Sequence, residues 1–156
     1  MNDWTLAPLR DHPHLIPALA PLHQAQWAGA HPDMDVAAWE REFQGHALFG
    51  LPLTLVAIDR EGQLLGSASL IMDDMEQQAP YAPWLANVLV LPAARGRGIG
   101  AALISAIADR ARAMGHVQLY LFTTDQQDFY TQRGWMPFEE RLHHGKVVTL
   151  MRRSLA

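Results

Sequence analysis

Between Leu89 and Leu103 the chain reads Leu-Val-Leu-Pro-Ala-Ala-Arg-Gly-Arg-Gly-Ile-Gly-Ala-Ala-Leu, with glycine at the alternate positions 96, 98 and 100. The apolar run from Trp84 to Leu91, closed by Pro92, has the pattern of a central strand buried on both faces, with Asn87 its only polar interruption. After the glycines, Leu103, Ile104, Ile107, Ala111 and Met114 recur at helical spacing, and Gly115 stands where a helix end favours a left-handed residue. Val117 to Phe122 follows as a second strand. Strand, helix and strand in that order imply a parallel pair joined by a crossover, which places the chain among the α/β (α+β) folds.

Glycines at alternate positions remove the side chains that keep a ligand off the backbone, so successive N–H groups can converge on an anion. The helix N-terminus adds unpaired donors and a partial positive charge, and Arg95 and Arg97 add to that sign. A phosphate or pyrophosphate fits this turn. It is not a P-loop, because no lysine follows to reach a terminal phosphate. Nor does it match a dinucleotide fingerprint, since Gly98-Ile99-Gly100 is followed by Ala102 and Leu103 without a third glycine in place.

Around this centre, Trp4 to Leu9 reads as a short strand, Leu15 to about Ala28 as one broken helix, and Asp35 to Phe43 as a second helix capped by Asp33 or Asp35. Leu53 to Ile58 and Leu64 to Ile71 form a hairpin across Arg60-Glu61-Gly62-Gln63. A short helix from about Asp125 to Gln132, capped by Thr124 or Asp125, ends at Gly134. Trp135 to Leu142 and Val147 to Arg152 make a last hairpin.

At 156 residues the chain suits a single domain, residues 1–156, with a core that needs no disulfide or metal staple. It has no cysteine, hence no thiolate nucleophile and no Cys-ligated zinc, and a cytoplasmic location is the simplest expectation. A net charge of -4, with Lys146 the sole lysine, argues against nucleic-acid binding. The uncharged stretch from His12 to Pro32 is broken by four prolines, so no membrane span is expected. His12-Pro13-His14 and His143-His144 lack the spacing and carboxylate partner of a metal site, and no metal is expected. Trp27, Trp39 and Trp84 fit a core; of these, Trp84 opens the central strand beside Asp73, Asp74 and Glu76 and is also a candidate substrate contact.

Arg95-Gly96-Arg97-Gly98-Ile99-Gly100 resembles the Arg/Gln-x-x-Gly-x-Gly/Ala signature of the GCN5-related N-acetyltransferase (GNAT) family. A second block agrees: Leu119-Tyr120-Leu121-Phe122, then Phe129-Tyr130-Thr131-Gln132-Arg133-Gly134-Trp135, is similar to the family's strand and Phe-Tyr-x-x-x-Gly-Phe/Trp segment. The resemblance runs from about Leu53 to Arg152. It implies a mixed, mostly antiparallel central sheet with helices on both faces and a parallel strand pair that splays apart at the cofactor site. It further implies an acyltransferase that passes acetyl from acetyl-CoA directly to an amine in a ternary complex.

On that resemblance, Arg95, Gly96, Arg97, Gly98, Ile99, Gly100 and Ala101 hold the pyrophosphate. Main-chain groups of Leu89 and Val90 pair with the pantetheine arm like an added strand. Phe129 joins the cofactor-binding set, and Tyr130 is the catalytic residue, its hydroxyl approaching the coenzyme sulfur. An alkyl amine with a pKa near 10 is only about one part in a thousand neutral at pH 7, so a proton acceptor is needed. Asn87 cannot be that base. Asp73, Asp74 and Glu76 are the nearest acids in sequence and serve as base or as attraction for a cationic acceptor.

The acceptor expected is a small-molecule amine. Two alternatives stand beside it. Thr123 to Tyr130 is similar to a segment of the actin N-terminal acetyltransferase, which makes a peptide N-terminus a second acceptor class. A coenzyme A-binding sensor domain without chemistry is the third reading. A homodimer is left open.

Overall fold

The computed structural model describes residues 3–29, 31–47, 50–72 and 81–156. In these, β1 (Trp4–Pro8), β2 (Leu53–Asp59), β3 (Leu64–Ile71), β4 (Trp84–Val90), β5 (Gln118–Thr123), β6 (Met136–His143) and β7 (Lys146–Ser154) form one sheet in the order β1-β2-β3-β4-β5-β7-β6. The pairs are antiparallel except β4 with β5. The helices are α1 (Ile16–Trp27), α2 (Val36–His46), α3 (Ile99–Ala113) and the short α4 (Gln127–Thr131).

Strand alternation divides the core between the two faces of the sheet. Leu53, Leu55 and Ala57 of β2 pack with Ile99, Leu103, Ile104 and Ile107 of α3. Val56, between them, packs with Leu19 of α1 and with Trp39 and Phe43 of α2. Helices therefore cover both faces, as the resemblance implies.

The β2–β3 hairpin forms where expected. Gly62 takes φ +79°, and the Asp59 carboxylate accepts the Glu61 and Gln63 amides, each at 2.9 Å. Asp35 caps α2, accepting from the Ala38 amide at 2.7 Å. Elsewhere the structure departs from local expectation. Leu9 leaves the first strand for a short 3-10 turn, where its side chain is buried. The first helix is unbroken, although Pro21 sits inside it. A proline there costs about 3 kcal/mol, which the buried face of Ile16, Leu19, Ala20 and His23 against α2 offsets. At α4 neither Thr124 nor Asp125 caps; the preceding Thr123 hydroxyl accepts the Gln126 amide at 3.0 Å.

Asn87 is the pivot of β4. Its φ is +57°, and the β3–β4 register slips by one residue between Ser67↔Leu89 and Ser69↔Ala86. This is a β-bulge, with the extra residue in β4. Before the bulge Leu85 packs on the α3 side; beyond it Val88 and Val90 do, and Leu89 turns to the α1–α2 side.

That second side contains a buried histidine. His23 is fully buried, its Nε2 3.1 Å from Ser67 Oγ and its ring stacked on Trp27 with centroids 4.7 Å apart. Burial, with the nearby His46, pushes its pKa down to about 3. Because the unfolded chain binds this proton near pH 6.5, stability is fully present above that pH and is lost as pH falls toward 3. The expected loss is about 1.4 kcal/mol per pH unit in that window. Chemical denaturation of the wild type and His23→Gln between pH 6 and 4 tests this: the variant should show a shallower dependence, and equal slopes would count against His23.

Candidate active site

β4 and β5 share a single registered parallel pair, Trp84↔Tyr120, and the Tyr120 amide donates to the Pro83 carbonyl at 3.1 Å. β5 is paired with β7 along its whole length, Gln118 to Thr123, so its opposite edge is open beyond Tyr120. The splay produces a cavity of about 360 Å³. Leu85 to Val88 form one wall and Leu121 to Gln126 the other, with Tyr130 from α4, Gln26 and Trp27 from the end of α1, Gly29, His31 and Lys146 completing it. Another hollow of about 470 Å³, lined by Gln118, Gly134, Met136 and Arg152 to Ser154, contains none of the residues predicted to act.

The glycine turn lies past the end of β4. Gly96 and Gly98 take φ +78° and +79°, a region that a side chain rarely tolerates, and a Cβ at either would meet no atom within 4 Å. Gly98 is the N-cap of α3, and the first helical bond runs from the Ala102 amide to the Gly98 carbonyl at 3.0 Å. The amides of Ile99, Gly100 and Ala101 therefore precede the helix's own bonding, pointing out of its first turn. Ile99 contributes only main chain, because its side chain is buried under the sheet. Arg95 donates from Nε to the Val90 carbonyl at 3.2 Å. Arg97 is paired with Asp3, and this hydrogen bond holds the Asp3 carboxyl below its ordinary range.

Leu89 and Val90 lie between this turn and the cavity. The Leu89 carbonyl comes so close to Gly66 of β3 that a Cβ there would stand 2.6 Å from it, so only glycine allows this approach. Tyr130 is buried, its ring meeting Phe129 and Trp135 edge-on at 5.2 and 5.9 Å. Burial pushes its phenol up to about 12, against the opposing charge of Arg133, so it is a protonated donor throughout the neutral range. The Arg133 guanidinium lies 3.7 Å above the Phe129 ring, which holds Phe129 in the outer wall of the core.

Trp84 is fully buried among Ile71, Ala86 and Leu150, its indole N–H donating to the Tyr81 carbonyl at 2.8 Å, and it is not part of the cavity wall. Asp73, Asp74 and Glu76 lie outside the described residues. Among the described residues no group of three potential ligands is arranged to hold a metal ion, and no helix is long and apolar enough to cross a membrane.

Sequence reasoning missed Gln26, Trp27, His31, Asp125 and Lys146 as cavity residues. Only Asp125 carries a local signal, its place five residues before Tyr130; Gln26 and Trp27 come from the end of α1, His31 from the segment after it and Lys146 from the start of β7. His31 is held below the ordinary histidine range by burial and by His144, with Asp33 and Glu42 opposing.

The family model described as "Acetyltransferase (GNAT) family" matches residues 16–135. It thus reaches into α1, earlier than the motifs alone indicated. No curated protein sequence matches the chain. Among solved structures, an aminoglycoside 6'-N-acetyltransferase complexed with coenzyme A superposes with a TM-score of 0.76 at 16% identity, covering 97% of each chain. An aminoglycoside 6'-acetyltransferase type Ii superposes with a TM-score of 0.76 at 19% identity, again over 97% of both. A spermidine N-acetyltransferase chimera involving Vibrio cholerae gives 0.70 at 16% identity, covering 99% of this chain and 96% of that one. The fold is theirs, and with a family match over most of its length, from α1 through the glycine turn to Trp135, this chain belongs to the GNAT family of acetyltransferases.

Proposed function

We propose that this protein transfers acetyl from acetyl-CoA directly to the primary amine of a small molecule, both substrates bound together. One observation carries the reading: the splayed cavity has the bare amides of a helix N-terminus beyond the end of one wall and a buried, protonated tyrosine in the other. The amides from Gly98 to Ala101, with Arg95, would grip the pyrophosphate. Main-chain groups on the edge of β4 that faces the splay would align the pantetheine arm, and an N–H there would donate to the thioester oxygen as it gains charge. With no cysteine in the chain, an acetyl-cysteine intermediate is excluded, which favours direct attack.

Tyr130 would donate to the departing sulfur. A phenol at about 12 facing a thiol of ordinary pKa, about 8.5, hands its proton over at a cost of about 5 kcal/mol. Its part is therefore a hydrogen bond that stabilises the developing thiolate; the attacking nitrogen gives up its proton to water in the open cavity, and coenzyme A leaves as the thiolate. Asp125, exposed at the cavity, supplies negative charge for a cationic acceptor. Aminoglycoside and spermidine acetyltransferases among the structural neighbours support an amine of this kind.

Two substitutions test the halves of this reading. Gly100 has no positive φ, and a Cβ there would meet only Val90 Cγ2, at 3.5 Å. Gly100→Asp should leave the fold intact or raise its stability by about 0.3–1 kcal/mol at the helix N-terminus. The same carboxylate should cut acetyl-CoA affinity at least about tenfold through like-charge repulsion, measured by calorimetry; unchanged affinity would remove the phosphate cradle. Tyr130→Phe should lower kcat by about 10²-fold with acetyl-CoA binding retained, and a loss under about threefold would dismiss the sulfur donor. Because the protein has no thiol of its own, a thiol reagent reads coenzyme A release directly.

A further inference from the structure

A line of polar side chains crosses the interior from the surface of α2 to the cavity. Glu42, half exposed, lies 3.1 Å from Nε2 of His46 through its Oε1. Nδ1 of His46 lies 2.8 Å from Thr54 Oγ1, which lies 2.7 Å from Ser69 Oγ. Nδ2 of Asn87 reaches the same Ser69 oxygen at 3.4 Å. His46, Thr54 and Ser69 are buried, at 1%, 0% and 0% exposure. Polar groups so deep in a core are costly unless every donor and acceptor is used, and an apolar set of the same shape would hold the sheet as well.

With His46 neutral, the chemistry of the line sets one direction. An ionised carboxylate accepts and never donates. Glu42 is kept ionised by the hydrogen bond from His46, which holds its carboxyl below the ordinary range. In a neutral imidazole one nitrogen carries the proton, and the carboxylate claims it on Nε2. Nδ1 must then accept from the Thr54 hydroxyl. Thr54 has one hydrogen, now spent, so it accepts from Ser69, and Ser69 in turn accepts from Asn87. The amide of Asn87 therefore turns its NH2 inward, and its Oδ1, which accepts from no described residue, is left for the cavity whose wall Asn87 forms.

On the acetyl-transfer reading above, we propose that Asn87 is a specificity residue whose amide oxygen accepts an N–H of the acceptor amine. Glu42, His46, Thr54 and Ser69 are positioning residues that set the direction of that amide. The bulge serves the same end: φ +57° at Asn87 is a conformation asparagine tolerates better than most residues, and it brings the side chain to the mouth of the splay. An acceptor-only oxygen selects nitrogen that still bears hydrogen, and disfavours quaternary ammonium groups and carboxylates.

The test uses coenzyme A-saturated protein titrated with spermidine, an aminoglycoside and tyramine by calorimetry, alongside turnover with acetyl-CoA. Asn87→Gly keeps the left-handed backbone and removes the amide; Glu42→Gln, at the surface, lets the line run in either direction. Asn87→Gly should weaken amine binding about tenfold and Glu42→Gln about threefold, the worth of one hydrogen bond lost or half-directed. The loss should appear in KM for the amine, with kcat and coenzyme A affinity held. Amine affinity within twofold of wild type in either variant overturns the assignment, even if the protein turns over. Wild-type protein that binds amines without releasing coenzyme A overturns the transfer reading instead, and the Asn87 contact then stands on its binding data. No amine binding by wild type overturns both.

Discussion

Everything at the site follows from two strands that touch at one end and part at the other. An aromatic cluster pins the closed end: Trp84 and Tyr120 lie 5.8 Å apart, Tyr81 and Tyr120 5.2 Å, Trp84 and Phe122 6.4 Å. Three residues further along β4 the bulge at Asn87 bends the strand, and no further pair with β5 forms. Leaving main-chain donors and acceptors without partners is costly, and the sheet bears it because β4 stays paired with β3 and β5 with β7. The open edges are then available to a substrate arm that can pair as a strand does.

The same constraint explains the packing on either side. Gly66 lets the bulged β4 approach β3 so closely that no side chain would fit, and α3 seals the opposite side with Leu103 and Ile107. The α1–α2 side is less uniform. It buries His23 and His46 beside Trp39 and Phe43, and each histidine holds a serine or threonine of the sheet. The pairing of Arg97 with Asp3 ties the glycine turn to the start of the chain.

How much of this was legible beforehand varied with the range of the forces involved. The glycine turn, α3, both hairpins and the Asp35 cap were legible because glycine, capping side chains and periodicity act between near neighbours. The helix through Pro21 was misread as broken because its stability comes from α2 and the sheet, not from its own residues. No side chain caps α4, because the Thr123 hydroxyl at the end of β5 takes the Gln126 amide just ahead of the helix. Tyr130, which the structure places in the cavity wall, lies in a contiguous motif and so is visible in the sequence. The place of Trp84 beside an acidic stretch suggests a substrate contact, and the structure buries it in the aromatic cluster instead.

The turn of a strand into a helix over bare amides, and the tyrosine after the next strand, are written in the order of the residues, because both concern near neighbours along the chain. Tertiary structure alone decided that His31 and Lys146 share a cavity with Asn87, and that Glu42 reaches Asn87 through three buried side chains. The physical reason is that hydrogen-bond direction and cavity shape depend on which elements pack together, and α2, β2, β3 and β4 meet only once the sheet has assembled between its two helical layers.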